Sequence, residues 1–358
     1  MPTAASRVFH ALLAPIQLVL HCGRASHEPA MDEVVRQSIS IVEQSKKGAV
    51  PWEFDEPYDQ PYFRWIDEKW QATKAGIENH DQRPVDKFAV MAWNIDFMIP
   101  FDHSRMVAAI RHLEKLVSEE DDLPTIILLN ECLQNDLKTI TSDDWVRSRF
   151  HVTDMNAEYW QSGFYGTTTL IDKRLTVKSC FRVHFAKTRM ERDGLFVDVD
   201  VGAQKPVRLC NTDTESLALE PPFRPAQLAI CAKQMHSEDV HGAVLAGDLN
   251  AIQDFDKTLH TDNDLKDAYL ELGGDEDDPA GHTWGQQAAT VQRERFGTTR
   301  MDKVLFCGKV VCQSFERFGM DVQLEDEEER EQLLQLGFDK PWITDHLGVK
   351  AIFVIGTE

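Results

Sequence analysis

Short apolar runs recur along the chain from about Lys87 onward, and their residue content is typical of β-strands. The predicted strands are KFAVMAW, TIILLNE, GFYGTTTLID, GLFVDVDV, PVRLCNT, GAVLAGD, DKVLFCG and LGVKAIFVI. Helical spacing is rarer. The segments HSRMVAAIRHLEKLV and RPAQLAICAKQM place their apolar residues on one helical face. The pattern therefore predicts many strands with fewer helices between them.

The N-terminal part has a different pattern. Residues 31–86 are rich in Pro and Trp, which indicates an N-terminal extension that packs aromatic side chains onto one domain of residues 87–358. We assign residues 1–30 outside the fold, as a disordered or targeting segment with the apolar run VFHALLAPIQLVLHC. A true start at Met31 explains this segment equally well.

The charge balance limits the partners. The chain has 60 acidic and 38 basic residues and a formal net charge of −22, so most of its surface repels a polyanion. Broad coating of nucleic acid is therefore disfavoured. The basic cluster in FRVHFAKTRMERDG, which contains Arg189, is either a local binding patch or a solvated strand edge.

Cysteine usage and hydropathy indicate the compartment. The seven cysteines form no CxxC pair, which predicts reduced thiols in the cytoplasm or nucleus, without disulfides or a zinc site. Mitochondrial targeting by residues 1–30 is an alternative. No stretch approaches the ~20 apolar residues that span a bilayer, so we expect no membrane span. We also expect a monomer.

Several predicted strands end on polar side chains. The run AVLAGDLNA passes from apolar residues to Asp248 and Asn250, and either a turn-capping role or a chemical role explains that change. Three further segments end in the same way, with Asn94, Asn130, Glu131, Asp345 and His346. Carboxylates and amides provide hard oxygen ligands, whereas a single histidine among them does not resemble the ligand set of a zinc site. The convergence favours a Mg²⁺ site for a phosphate ester.

The order of these motifs resembles the endonuclease/exonuclease/phosphatase superfamily. Trp-Asn is followed by Glu at the end of an apolar strand, Asn-Thr-x-x-Glu-Ser, Gly-Asp-x-Asn and Asp-His, over residues 87–355. The forms LCNTDTES, GDLN, HTW and TDH are most similar to the branch of the 5′-tyrosyl-DNA phosphodiesterases and their fungal-type relatives. The resemblance implies an α/β fold of two packed, mostly antiparallel β-sheets flanked by helices, a four-layer sandwich.

The resemblance also implies roles for the matched residues. Glu131 matches the principal metal ligand, and Asn94 would help to hold the metal or a phosphate oxygen. Asp248 would orient and deprotonate the attacking water, and Asn250 would steady the water and the phosphate. Each position also has a local structural alternative, such as a turn former or a helix cap.

The remaining matches concern the phosphate and the substrate. His346 would contact the phosphate, with its ring held from behind by Asp302, while Asp345 would serve the metal-water network. Tyr165 and Trp284, together with Arg189 of the basic cluster, are candidate substrate-binding residues. Packing in the core is the alternative for the two aromatic residues.

Two departures from the family pattern bear on function. Asp213 stands where the family places a histidine that donates to the phosphate. Three interpretations follow. Asp213 is an extra metal ligand, or the chain is a weakened or inactive relative, or another histidine such as His184 takes the role of the family histidine. Ile252 stands where tyrosyl-DNA enzymes have an arginine, which argues against a tyrosyl-DNA substrate.

These observations lead to one expected function and two alternatives. We expect a Mg²⁺-dependent hydrolase of phosphoric esters, a phosphodiesterase that uses in-line water attack, with Mn²⁺ as an alternative metal. Its partner would be a phosphodiester or a phosphorylated small molecule. The first alternative is an inactive family member that binds a phosphorylated ligand or a protein. The second is a phosphatase of small molecules such as phosphoinositides or sugar phosphates.

Overall fold

The computed structural model describes residues 30–76, 85–120 and 122–356. Fifteen strands occur in this part of the chain. They are β1 (Pro57–Asp59), β2 (Tyr62–Ile66), β3 (Lys69–Thr73), β4 (Lys87–Asn94), β5 (Thr125–Leu133), β6 (Phe150–Val152), β7 (Tyr165–Asp172), β8 (Thr176–His184), β9 (Asp193–Asp200), β10 (Val207–Thr212), β11 (Gly242–Asp248), β12 (Lys266–Asp267), β13 (Asp302–Gly308), β14 (Val310–Phe318) and β15 (Gly348–Ile355).

Helices are fewer and several of them are short, as the pattern predicts. They are α1 (Ala30–Gln44), α2 (Asp102–Glu119), α3 (Gln134–Ser142), α4 (Asp144–Arg149), α5 (Arg224–Met235), α6 (Leu259–Asp262), α7 (Ala268–Glu271), α8 (Thr290–Phe296) and α9 (Glu327–Gln335), with 3₁₀ turns at Asp254–Lys257 and Pro279–Gly281. Both helices predicted from periodicity are present, as α2 and α5. In the described part of the chain, no helix has the length and apolar content needed to cross a membrane.

The strands form two sheets. One has seven strands in the order β1-β8-β9-β10-β11-β13-β12, and the other has eight in the order β14-β15-β4-β5-β7-β6-β2-β3. Only the pairs β10–β11 and β4–β5 are parallel among the pairings of the described strands. The predicted arrangement of two packed, mostly antiparallel sheets with helices outside is confirmed.

The alternation of side chains along β4 shows how the layers are built. Phe88, Val90 and Ala92 belong to the apolar cluster between the two sheets. Met91 and Trp93 point the other way and join the cluster under α2 and α3. Because both faces of this strand are covered, its sequence is apolar at consecutive positions rather than at alternate ones. A third cluster lies between the seven-stranded sheet and α5, which completes four layers.

The N-terminal extension adds to both sheets. Strand β1 pairs with β8 of the seven-stranded sheet, and β2 pairs with β6 of the eight-stranded sheet. Between α1 and β1, the Nζ of Lys47 donates to the carbonyls of Ala157, Glu158 and Trp160. The expectation for residues 1–30 falls almost entirely on residues 1–29, which lie outside the described residues.

Candidate active site

Polar side chains gather at one rim of the sandwich, where the central strands of the two sheets end. Asn94 and Asn130 are partners in the parallel β4–β5 pair, and Asp248 faces Asp302 in the antiparallel β11–β13 pair. The polar residues predicted from the strand ends, together with those named from the family resemblance, are buried there. They are Asn94, Asn130, Glu131, Asp213, Asp248, Asn250, Asp302, Asp345 and His346.

Local irregularities direct two of these side chains. The β5–β7 ladder shifts register between Leu129 and Cys132, so β5 carries one extra residue, a β-bulge at the position of Glu131. Glu131 and Asn250 both have left-handed backbone angles, with φ of 57° and 46°. Such angles are uncommon for residues other than glycine and occur frequently at functional sites.

Asp248 is held on both of its carboxylate oxygens. Its Oδ1 accepts a hydrogen bond from the backbone N–H of Asn250 at 2.7 Å, and its Oδ2 accepts one from the Nδ2 of Asn94 at 3.0 Å. Its own N–H donates to the side-chain oxygen of Asn130 at 3.2 Å. Burial raises the pKa of Asp248 to about 6, against the opposing effect of the nearby His346. Its orientation is therefore fixed before any ligand binds.

His346 lies between three acids. Its Nδ1 is 2.9 Å from Oδ2 of Asp302, and its Nε2 is 3.7 Å from both Oδ2 of Asp248 and Oδ1 of Asp345. Burial alone would lower the pKa of this imidazole, but the three carboxylates outweigh burial and raise the pKa well above its usual value. The three carboxylates therefore favour the protonated form of the ring, and Asp302 fixes its orientation.

A second set of contacts joins Glu131 to Asp213 through Arg192. The Nη2 of Arg192 donates to Oε1 of Glu131 at 3.2 Å, and its Nη1 forms an ion pair with Oδ2 of Asp213. Asp213 in turn accepts a hydrogen bond on Oδ1 from the Nδ2 of Asn250 at 3.1 Å. Because Asn250 also contacts Asp248, the contacts form one continuous polar network along the rim.

The site carries an excess of negative charge. Its buried acids are Asp96, Glu131, Asp213, Asp248, Asp302 and Asp345. Burial, followed by the charges of Asp345 and Glu131, raises the pKa of Asp96 well above its usual value. The Oδ1 atoms of Asp302 and Asp345 are buried and accept no hydrogen bond. A crowded set of carboxylates with unused oxygens is the donor chemistry that suits a hard divalent cation.

Two parts of the site differ in how well they fit such a cation. Single ligand atoms of Asp248, Asp302 and His346 lie within 4.8 Å of one another, close enough for a metal to bridge. The protonated form of the imidazole, which the same acids favour, has no lone pair to offer a metal, so in that form the trio is an ion-pair cluster. Glu131, Asp345 and Asp96 offer only oxygen atoms, the donors that Mg²⁺ prefers, but their ligand atoms do not form a set within 4.8 Å of one another in the described part of the chain.

The predicted substrate-binding aromatic residues are both engaged with the protein. The hydroxyl of Tyr165 donates to the carbonyl of Met190 at 2.6 Å, and its ring lies 5.1 Å from the Arg192 guanidinium. The indole N–H of Trp284 donates to Oδ2 of Asp345 at 2.7 Å. Tyr165 thus packs against Arg192, and Trp284 contacts one of the acids of the site.

The basic cluster divides between the surface and the site. Arg189 is exposed, with its guanidinium 5.9 Å from the Phe223 ring. Arg192, three residues later, is the arginine of this cluster that reaches Glu131 and Asp213. The prediction that Arg189 binds substrate stays a prediction.

The histidine suggested as a substitute for the family histidine lies elsewhere. The ring of His184 stacks on Trp52 at 3.8 Å, and its Nε2 is 2.9 Å from the carbonyl of Tyr159. Burial lowers the pKa of His184 to about 4. It packs the N-terminal extension against the domain. The side chain of Ile252 is 38% exposed, and as an isoleucine it offers no positive charge at the position where tyrosyl-DNA enzymes have an arginine.

Sequence reasoning missed two residues of the network, Asp96 and Arg192. Asp96 follows Asn94 by two positions, and its Oδ1 caps the turn by accepting from the N–H of Met98 at 2.9 Å. Its proximity to the Trp-Asn motif was the available signal. For Arg192 the only signal was its membership of a basic cluster in an acidic chain, which does not say which member faces inward.

Comparisons with known proteins agree with this architecture. The model of the Endonuclease/Exonuclease/phosphatase family matches residues 91–346. None of the curated proteins compared with the chain matches it. Among solved structures, the chain is similar to a truncated TDP2 from Caenorhabditis elegans, with 24% identity, 75% of this chain and 97% of that chain covered, and a TM-score of 0.54.

Two further solved structures share the fold. D. rerio TDP2 complexed with single strand DNA product is 16% identical, with 75% of this chain and 98% of that chain covered and a TM-score of 0.56. The human Nocturnin catalytic domain with bound sulfate anion is 13% identical, with 76% and 95% covered and a TM-score of 0.51. At these identities the likeness concerns the fold alone. The family match spans most of the chain, and the chain belongs to the Endonuclease/Exonuclease/phosphatase family.

Proposed function

We propose that this protein is a Mg²⁺-dependent phosphodiesterase in which Asp248 deprotonates the attacking water. Membership of the family supports a hydrolase of phosphoric esters in general. The observation that carries the finer proposal is the arrangement of Asp248, which Asn94 and Asn250 hold in place beside the ring of His346, itself backed by Asp302. A fixed base next to a fixed cation is what water attack on an anionic phosphate requires.

The residues divide the chemistry as follows. Asp248 takes a proton from water while the water oxygen bonds to phosphorus and the opposite P–O ester bond breaks; the leaving oxygen departs with the electron pair as an oxyanion and takes its proton from solvent. The imidazolium of His346 stabilises the charge on the phosphate oxygens, and the amide of Asn250 orients water and phosphate. Glu131 and Asp345, with Asn94 as a further candidate, would hold the cation. Mg²⁺, when bound there, would neutralise negative charge on the phosphate oxygens.

The raised pKa of Asp248 suits its role. A carboxylate with a pKa of about 6 is ionised at neutral pH yet binds a proton more strongly than an ordinary aspartate. Burial, the main cause of the shift, also strengthens its interaction with His346. The same site therefore provides a base and a cation at one pH.

The test is hydrolysis of bis(p-nitrophenyl) phosphate with Mg²⁺, Mn²⁺ and EDTA. We expect metal-dependent turnover that EDTA removes and that falls about a hundredfold or more in Asp248→Asn. Asp198→Asn is the matched control, because Asp198 is a buried acid of the same sheet whose partners are Arg208 and Ser179. Equal activity of the two variants would contradict the assignment of Asp248.

A non-catalytic member that binds a phosphorylated ligand is the second candidate. The favouring observation is that Glu131, the candidate metal ligand, already contacts Arg192. This alternative predicts ligand binding without turnover in any divalent metal.

The substrate class needs a separate comparison. D. rerio TDP2 has been crystallised with a single strand DNA product. In the present chain the net charge of −22 and the isoleucine at position 252 disfavour a nucleic-acid substrate. A panel of phosphotyrosyl oligonucleotides, phosphoinositides and sugar phosphates separates these classes. We expect the highest kcat/KM for a small phosphodiester, and preference for a monoester would favour the phosphatase alternative.

A further inference from the structure

Two exposed apolar side chains lie beside the proposed active site, one on each of two neighbouring segments. Leu217 is 53% exposed and follows Asp213 by four positions, and the exposed Ile252 follows Asn250 by two. Two residues of extended chain span at most ~7 Å, so Ile252 lies close to Asn250. Asn250 itself contacts both Asp213 and Asp248. The two apolar residues therefore border the buried acids.

The segments that carry these side chains are bonded to each other. The Nδ2 of Asn250 donates to the carbonyl of Thr214 at 3.0 Å, and the Oγ1 of Thr214 donates to the carbonyl of Leu249 at 2.7 Å. The N–H of Thr214 also donates to the carbonyl of Asp248 at 2.9 Å. The two segments thus form one continuous piece of the rim.

A buried arginine fixes the backbone at both apolar residues. The guanidinium of Arg224 forms a fork with the carboxylate of Asp256, at 2.9 and 2.8 Å, and donates to the carbonyl of Leu217 at 2.8 Å. Asp256 in turn accepts from the N–H of Ile252 at 3.0 Å. Both charged side chains are only 3% exposed. One buried ion pair therefore holds Leu217 and Ile252 in place relative to each other.

The conformation of Leu217 indicates a role outside packing. Its φ is 70°, in the left-handed region that leucine rarely adopts. A single exposed apolar side chain is ordinary. A leucine that is exposed and also held in an unfavourable backbone conformation is not, because neither feature stabilises the fold. Such positions cluster where a side chain meets a ligand.

Size and charge restrict what this surface can bind. A specific protein interface buries about 800 Å² on each partner, whereas two aliphatic side chains offer about 100 Å² each. Residues 211–223 and 247–256, which make up the two segments, contain no Lys, Arg or His. A second phosphate of a nucleic acid would find no counter-charge on them. A small apolar group fits better than a protein or a polyanion.

We propose that Leu217 and Ile252 form an apolar lip of the active site that binds an apolar ester group of the substrate. The substrate class is then a small phosphodiester in which one esterified alcohol is apolar. The inference rests on the proposed function, because it places this group next to a phosphate bound beside Asp248.

The first experiment measures binding, so its result does not depend on turnover. Calorimetry of the full chain at saturating Mn²⁺ gives the Kd for methyl-, butyl- and octylphosphonate, which differ only in the length of the apolar chain. Full burial of one CH₂ group tightens binding about fourfold. Because the lip covers only part of the chain, we expect the Kd of the wild type to fall about tenfold to a hundredfold from methyl- to octylphosphonate.

The test variant combines Leu217→Asn with Ile252→Ser. We expect its Kd to fall less than about threefold from methyl- to octylphosphonate, with the Kd for methylphosphonate within about twofold of the wild type. Asparagine adopts left-handed angles more readily than leucine, so the midpoint of urea unfolding should stay the same or rise. A loss of affinity through unfolding is thereby separated from loss of the lip.

Val311→Ser is the matched control. Val311 is 58% exposed, but it lies on β14, which follows the end of β13 that is opposite to the rim. This variant should keep the chain-length dependence of the wild type. The proposal would be overturned by a wild type that binds no phosphonate or binds all three equally. A double variant that retains the wild-type dependence would overturn it as well.

Hydrolysis separates this inference from the proposed function. Methyl, butyl and octyl p-nitrophenyl phosphate share one leaving group, so kcat/KM should increase in the same order as the affinities. If the affinities depend on the lip but the wild type cleaves none of these diesters, the lip stands and the phosphodiesterase function is rejected. If all three diesters are cleaved alike and the phosphonates bind alike, the lip is rejected and the phosphodiesterase function stands.

Sedimentation with phosphatidylcholine vesicles distinguishes a free molecule from a lipid in a bilayer. Membrane binding scales with the buried apolar area, and two side chains offer too little to hold the protein on a vesicle. We expect the protein to remain in the supernatant. Co-sedimentation that disappears in the double variant would overturn the assignment to a small free phosphodiester.

Discussion

At the scale of single residues, the active site depends on backbone positions as much as on acids. The carboxylate of Asp248 is aligned because the residue before it is a glycine. Gly247 has φ of +148°, and a Cβ at this position would lie 2.0 Å from the carbonyl oxygen of Thr212 and 3.0 Å from Oδ1 of Asn130. The glycine therefore allows β11 to approach β10 and Asn130 closely, which side chains would prevent.

This close approach predicts a large effect of Gly247→Ala. We expect destabilisation of about 3 kcal/mol or more, because the cost of the backbone angle and the clash add together, and we expect loss of activity as Asp248 shifts. Urea unfolding and hydrolysis of the chromogenic diester measure the two effects. Gly273→Ala is the matched control, because Gly273 has φ of +90° but open space around its Cβ position. We expect Gly273→Ala to lower the free energy of unfolding by only about 1–2 kcal/mol. An equal loss in both variants would show that no clash contributes at Gly247.

At the scale of elements, α2 and its loop assemble one side of the rim. Arg105 of α2 is fully buried, and its guanidinium donates to the backbone carbonyls of the loop after β4 and to that of Ile343. One side chain thus joins the segment that carries Asp96 to the segment that precedes His346. The helix was predictable from its apolar periodicity. The inward position of its arginine was not, because basic residues at such positions are usually exposed.

The start of α3 provides a pH-dependent test at the same scale. Asp136 is buried and accepts from the N–H of Leu133 at 2.7 Å, and burial raises its pKa to about 7. A carboxyl group with a raised folded-state pKa stabilises the protein below its unfolded pKa, and that contribution is lost as pH rises through 7. Wild type should lose up to about 3 kcal/mol from this group between pH 5 and pH 8.

Asp136→Asn removes the titrating group. The unfolding free energy of this variant should therefore fall less between pH 5 and pH 8 than that of the wild type. Denaturant unfolding at several pH values measures the difference. Asp143→Asn, which alters the capping acid of α4, controls for the loss of a cap. Parallel pH profiles of wild type and Asp136→Asn would contradict the raised pKa.

At the scale of the whole molecule, a second buried ionic network, centred on Arg182, joins the two sheets. Arg182 of β8 contacts Asp193 at 2.6 Å and Asp154 at 3.1 Å, and it donates to Oγ1 of Thr167 on β7 at 2.8 Å. The two sheets are therefore linked by charge at this position as well as by the apolar cluster between them. No buried side-chain nitrogen or oxygen of Arg182, Asp154 or Asp193 lacks a hydrogen-bond partner.

Arg182→Met should destabilise the whole domain by about 3–5 kcal/mol, because it leaves two buried carboxylates without their cation. Thermal and urea unfolding measure this loss. Arg111→Met is the control, since Arg111 and its partner Glu325 are both exposed, and no measurable change is expected. A similar result for the two variants would show that the buried network adds no stability.

The four-layer arrangement was implied by the resemblance of the motifs to a known family. The sequence by itself determined the succession of strands, the two longest helices of residues 87–358 and the acids at the strand ends. These features follow from the local order of apolar and polar residues, which periodicity reports directly. Only the tertiary structure decided that Arg192 rather than Arg189 faces Glu131, and that Asp213 is paired with a cation. The physical reason is that segments far apart in the chain meet at the rim, and their charges act on each other only after the two sheets have packed.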